Sequence, residues 1–147
     1  MKIHRIDHIG INVNDLPAAK AFFLDFGLEL MGEADMEGAL LNQVVALDNV
    51  RTTIAMLQTS DGQTTIELVK YHSPADENGI PSHPVNSHGM NHICFAVEDI
   101  DALVAKLKSR GTATFSEIQN YENIYKLVYI HGPEGIILEL AERLPNS

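Results

Sequence analysis

Four residues of this chain have the chemistry of metal ligands and stand at related points of the sequence: His8, Glu67, His92 and Glu139. His8 sits in DHIGINVNDL and His92 in NHICFAVEDI, while Glu67 and Glu139 lie inside the apolar runs TTIELVK and GIILELAE. The two His-to-Glu spacings are 59 and 47 residues, the first being longer in its middle loops. A carboxylate flanked by Ile66 and Leu68, or by Leu138 and Leu140, has no structural task in a closing strand, and burying it unpaired is costly. One such Glu alone reads as the solvent side of an alternating strand, and one such His as an ordinary strand residue. Four at repeat-related positions read as a site. Two imidazoles and two carboxylates form a mixed nitrogen and oxygen donor set with no soft ligand. Such a set suits Zn, Ni, Co, Mn or Fe(II), with coordination positions left open for water or substrate.

The elements that must position these residues come from an internal repeat. Residues 7–27 align with residues 91–111 at an offset of 84, with identical pairs at His8/His92, Ile9/Ile93, Val13/Val97, Asp15/Asp99, Ala18/Ala102, Ala21/Ala105 and Gly27/Gly111. Ile9, Ile11 and Val13, and then Ile93, Phe95 and Val97, alternate as strands with one buried face, which puts His8 and His92 on the other. Asp15 and Asp99 are good N-caps for helices whose apolar positions are Leu16, Ala19, Phe23 and Ile100, Leu103, Leu107. Gly27 and Gly111 stand where a left-handed cap residue ends each helix.

Strand-like segments follow near 28–34, 43–48, 52–58 and 64–70, with Asp61-Gly62 as a hairpin turn. In the second copy they follow near 112–118, 124–131 and 136–141, with Gly132-Pro133-Glu134-Gly135 as the turn. Residues 71–89, holding Pro74, Gly79, Pro81, Pro84 and Gly89, have the composition of a connector. The organisation expected is a module over 1–70, a connector over 71–89 and a module over 90–147, together one functional domain. Neither half-module covers its own sheet, so the two are expected to pack together or against a partner chain.

Composition narrows the partners. The 147 residues are 45% hydrophobic and 20% charged, enough for a core without staples. A formal charge of -10 repels phosphate backbones and anionic lipid, so neither nucleic acid nor a membrane is an expected partner. Cys94 is the single cysteine, the N-terminal segment carries His4, Arg5, Asp7 and His8 instead of an apolar leader, and no apolar run nears the ~18 residues of a membrane span. A soluble, cytoplasmic protein is expected.

The doubled module with His8, Glu67, His92 and Glu139 resembles the vicinal oxygen chelate superfamily, also called the glyoxalase/bleomycin resistance/dioxygenase family. The resemblance runs from DHIGINVNDL to GPEGIILELAE and is weakest over 35–50 and 71–89. It implies an α+β fold in which two βαβββ modules form a cupped mixed sheet around one divalent metal ion per site. Relatives resembling extradiol dioxygenases or fosfomycin-modifying transferases use two His and one Glu, here His8, His92 and Glu139. Those resembling glyoxalase I or methylmalonyl-CoA epimerase add a fourth ligand at the place of Glu67. The complete set favours a lyase or isomerase that stabilises an enediolate, with Glu139 as the base and Glu67 as a second carboxylate. The alternatives are an Fe(II) extradiol-type dioxygenase and a non-catalytic small-molecule binding or resistance protein.

Resembling glyoxalases often carry an Arg four residues after the first His to help bind glutathione; Asn12 stands there, which weakens glutathione against another thiol cosubstrate. Epimerase-like relatives carry an acid where this chain reads VRTTIAML and a lysine where it reads YIHGPEGI. A small α-oxo or thiol-adduct substrate is therefore expected ahead of a coenzyme A thioester. Cys94, two positions after His92, points to the same side of its strand and either lines the pocket or packs as a small hydrophobe. Tyr129 and His131 share a strand face from which they can reach substrate oxygens. His72, His83 and His88 are expected to be solvated in the connector, and Arg51 to lie on the surface. A homodimer is implied by the resemblance.

Overall fold

The computed structural model describes residues 1–145, which fold as two compact units, Met1–Ile80 and the segment from Pro81 onward. The first unit runs β1 (His8–Asn12), α1 (Leu16–Phe26), β2 (Glu29–Glu37), α2 (Ala39–Val45), β3 (Arg51–Gln58) and β4 (Thr65–Ser73). The second runs β5 (His92–Ala96), α3 (Ile100–Ser109), β6 (Gln119–Tyr121), β7 (Tyr125–His131) and β8 (Ile137–Arg143). Each unit holds a four-stranded mixed sheet, ordered β1-β4-β3-β2 and β5-β8-β7-β6, in which the first strand pairs parallel to the last. The fold is α+β, as the resemblance implied, two sheets with three helices, of which α2 was not expected.

Local chemistry sets the shared part of both units. Asp15 accepts a hydrogen bond from the Ala18 amide and Asp99 one from the Ala102 amide, so each begins its helix as an N-cap. At the far end of α1, Gly27 (φ 123°) lets the chain turn out of the helix while its amide and that of Leu28 return to the Phe23 carbonyl. α1 buries Leu16, Ala19, Phe23 and Phe26. In α3 the buried stripe is Ile100, Val104 and Leu107, with Leu103 half-buried at its edge. Beneath α1 lie the buried Ile66 and Leu68 of β4 and Ala55 and Leu57 of β3; the equivalent layer in the second unit is Leu138, Leu140, Val128 and Ile130. Because side chains alternate along a strand, Glu67 and Glu139 must project from the sheet face opposite these layers.

Two expected strands are absent. Residues 43–45 fall in α2 and 46–48 in the turn after it: the Val44-Val45 pair favours a strand locally, but the Asn42 side chain accepts from the Val50 amide and Ala46 (φ 56°) closes a helical turn. Of 112–118 only the isolated bridge between Thr114 and Ile130 remains, and β6 at Gln119–Tyr121 supplies the outer strand instead. The Asp61-Gly62 hairpin forms, with the Asp61 carboxylate accepting from Thr59 Oγ1 and the Gln63 amide. β4 extends to Ser73, so His72 lies in a strand and not in the connector, although it is solvent-exposed as expected. It is the next-to-last residue of that strand, its Nε2 2.8 Å from Thr53 Oγ1. His83 and His88 are exposed, as is Arg51 at the start of β3.

Candidate functional site

Strand register brings each His to its Glu. His8 opposes Thr65 on β4, two residues before Glu67, and His92 opposes Ile137 on β8, two residues before Glu139. Residues two apart share a face, so each imidazole lies diagonally beside its carboxylate. His8 Nε2 is 3.6 Å from Glu67 Oε2, and His92 Nε2 is 3.8 Å from Glu139 Oε2. Glu67 and Glu139 keep only 28% and 17% of their side-chain surface exposed, which sets them apart from surface carboxylates. Among the described residues no group of three or more His, Cys, Asp or Glu side chains is gathered tightly enough to hold a metal by itself; each unit presents a pair.

The surroundings of the pairs differ. Cys94, Glu139 and Tyr129 stand in one row across β5, β8 and β7, whereas the corresponding row of the first unit is Gly10, Glu67 and Met56. Tyr129 places its ring 4.8 Å from that of His92, with its hydroxyl 3.3 Å from His92 Nε2. Partial desolvation, then the Glu139 charge and a hydrogen bond to that carboxylate, push the Cys94 thiol up to about 11. Burial and the charge of Glu139 also raise the Tyr129 phenol, so both groups are protonated hydrogen-bond donors at neutral pH. Of the other sequence candidates, Asn12 lies on the His8 face of β1 in register with Val69, and His131 stacks on Phe115 at 4.0 Å and 9° between planes.

Three neighbours were not anticipated from the sequence. Asp7 Oδ1 lies 2.9 Å from His8 Nδ1 and Asn91 Oδ1 3.0 Å from His92 Nδ1. Phe115 stands edge-on to Tyr129 at 6.0 Å and extends the aromatic wall beside His92. Asp7 and Asn91 are themselves repeat-related at the offset of 84, a signal present in the sequence although the two residue types differ. The Asp7 hydrogen bond raises the His8 imidazole above its ordinary value, aided by the charge of Glu67, while His8 and then Arg5 hold the Asp7 carboxyl low.

The residues present fit a divalent ion. Each Nδ1 lies within hydrogen-bond distance of an oxygen, and each Nε2 faces a carboxylate oxygen across 3.6 or 3.8 Å, beyond hydrogen-bond distance. Two donors that each bind a divalent metal at about 2.0–2.2 Å stand roughly 3–3.5 Å apart around it, so a small closure suffices for each pair.

The chain matches the Glyoxalase/Bleomycin resistance protein/Dioxygenase superfamily over residues 5–140 and belongs to that family. Among solved structures it is similar to a glyoxalase family protein from Bacillus cereus, at 40% identity and a TM-score of 0.93, covering 98% of this chain and 97% of that one. It also shares its fold with the fosfomycin resistance protein FosX of Listeria monocytogenes, solved with Mn(II) and a dihydroxypropylphosphonic acid. That likeness is 15% identity and a TM-score of 0.62, over 95% of this chain and 90% of that one. Among curated relatives it is 30% identical to the uncharacterized protein YaeR of Escherichia coli, over 96% of this chain and 98% of that protein. It is 25% identical to the mitochondrial methylmalonyl-CoA epimerase of Mus musculus, over 96% and 74%.

Proposed function

We propose that this protein is a divalent-metal-dependent lyase or isomerase of glyoxalase type, acting on a small α-oxo compound or its thiol adduct. His8, Glu67, His92 and Glu139 are the metal ligands. The observation that carries the reading is the duplicated pair: twice, at repeat-related positions, an imidazole Nε2 faces a half-buried carboxylate. The epimerase among its relatives and Mn(II) in FosX support metal-assisted chemistry of this class. Zn, Ni, Co, Mn and Fe(II) all suit the donors.

When bound, the ion polarises a substrate oxygen and lowers the barrier to removing the neighbouring C–H proton. The chain supplies the rest. Glu139 takes that proton on a carboxylate oxygen and returns it, and Glu67 offers a second carboxylate for a proton on the other side. The Tyr129 hydroxyl and the Cys94 thiol, both protonated at neutral pH, flank Glu139 and donate hydrogen bonds to substrate oxygens. Asn12 and His131 complete the substrate-binding set. Asn12 provides no charge for glutathione, so a smaller thiol is the preferred cosubstrate where one is used. The protein acts in the cytoplasm as a homodimer.

The test is deuterium exchange. In D2O the metal-loaded protein should exchange the α-proton of a hemithioacetal or α-hydroxy ketone, followed by proton NMR. Glu139→Gln, which keeps an oxygen donor, should slow exchange by about 10²–10⁴-fold, the usual contribution of a general base. Iron-linked oxygen uptake with catechols and no α-proton exchange would replace this reading with a ring-cleaving dioxygenase.

A further inference from the structure

Behind each imidazole stands the side chain that precedes it in the sequence. We propose that Asp7 and Asn91 are positioning residues that lock His8 and His92 in the tautomer presenting a bare Nε2. We further infer that the carboxylate behind His8 makes it a stronger metal donor than His92 with its amide. The donor-strength part rests on the metal reading of the two pairs; the tautomer part does not.

Both outer residues are fixed by contacts of their own. The second oxygen of Asp7 accepts from Arg5 Nη2 at 3.0 Å, and Arg5 Nη1 donates to the Gln63 carbonyl at 2.6 Å, in the turn before β4. The chain of contacts therefore runs from the β3–β4 hairpin through Arg5 and Asp7 to the His8 ring. In the second unit Asn91 Nδ2 donates to the Val85 carbonyl at 2.9 Å, which leaves Oδ1 as the atom facing His92. A carboxylate oxygen and an amide oxygen can only accept, so Nδ1 carries the proton in both rings and Nε2 is left with its lone pair. Nε2 is also the nitrogen that faces Glu67 or Glu139, so ring orientation and protonation agree in both units. The Tyr129 hydroxyl lies 3.3 Å from His92 Nε2 and 3.4 Å from Nδ1, so it does not select between the two nitrogens and leaves the choice to Asn91.

The two partners differ in charge. A carboxylate hydrogen-bonded to the far nitrogen increases the basicity of a ligating imidazole, and loss of such a partner commonly costs about 10–100-fold in metal affinity. An amide holds the ring equally well but donates less electron density. The repeat thus preserves the hydrogen bond and varies its strength.

The experiment has two readouts. In metal-free, ¹⁵N-labelled protein, long-range nitrogen–proton NMR should show His8 and His92 protonated at Nδ1 near pH 8. Asp7→Ala should return His8, and Asn91→Ala should return His92, toward the mixed tautomers of free histidine. Zn(II) affinity, measured by competition with a chromophoric chelator, should fall about tenfold in Asp7→Asn and rise about tenfold in Asn91→Asp. Both exchanges leave an oxygen able to face Nδ1, while Asn91→Asp gives up the donation to the Val85 carbonyl and Asp7→Asn the charge paired with Arg5. A general fold defect would lower the affinity of both variants and so does not mimic opposite signs. Unchanged tautomers in both alanine variants would overturn the positioning role. Equal affinities across the exchanges, in a protein that binds Zn(II), would overturn the unequal donors. Nδ1-protonated rings in a protein that binds no Zn(II) would support the positioning role and instead reject the metal reading.

Discussion

At the scale of single residues, Cys94 shows how a neighbour changes the chemistry of an exposed group. The residue is exposed, yet its thiol is held at about 11 by partial desolvation and by Glu139. A raised thiol pKa means the neutral form persists through neutral pH, and only the thiolate is nucleophilic. Alkylation of the metal-free protein by iodoacetamide should therefore be slow at pH 7 and accelerate about tenfold per pH unit until the pH approaches the pKa. Glu139→Gln removes the anion and one cause of the shift, so its thiol should react faster at neutral pH. Rapid modification of the unaltered protein at pH 7 would contradict the raised thiol.

At the scale of elements, the two strand–helix openings are built alike but are not equally relaxed. Asp15 caps α1 from an ordinary backbone region, whereas Asp99 caps α3 with φ at 50°, and its own amide donates to Glu142 Oε1 at 2.8 Å. Asp15→Ala should cost about 1 kcal/mol in urea unfolding, the usual loss for an N-cap. Asp99→Ala should cost more, because alanine in the left-handed region adds about 1–2 kcal/mol of strain. Asp99→Asn, which tolerates that region and retains a capping oxygen, should be nearly neutral. Equal losses at the two sites would contradict the strained geometry of Asp99.

These caps, the paired helices and the Asp61-Gly62 hairpin were legible in the sequence because each rests on contacts a few residues apart. The segment 43–48 was not, since its β-branched pair is overridden by the distant hydrogen bond from the Val50 amide to Asn42. Residues 112–118 alternate as a strand should, but they pair with β7 through a single bridge, a matter of tertiary geometry that periodicity does not carry. At the site, the repeat exposed His8, Glu67, His92 and Glu139. It did not expose Asp7 or Asn91, because the hydrogen bond between neighbouring side chains depends on ring rotamers. Nor did it expose Phe115, which lies in the 112–118 segment that pairs with β7 through one bridge alone.

At the scale of the whole molecule, the formal charge of -10 includes the two half-buried glutamates, which a bound cation would neutralise. Among the described residues no helix is long and apolar enough to cross a membrane. A ligand that binds only the folded state stabilises it by mass action, by about 2.7 kcal/mol at a hundredfold excess over its Kd. The metal-loaded protein should therefore melt at a higher temperature than the chelator-stripped protein, and Glu67→Gln should narrow the gap. An unchanged melting temperature on stripping the ion would contradict tight binding of the ion by the folded state alone.

The central claim is that His8, Glu67, His92 and Glu139 are the ligands of a divalent metal ion. Elemental analysis of the purified protein beside His8→Ala and His92→Ala tests it most directly. The account predicts one divalent ion per chain in the unaltered protein and loss of that ion in both variants alike. An ion retained at full stoichiometry when either histidine is removed would contradict it.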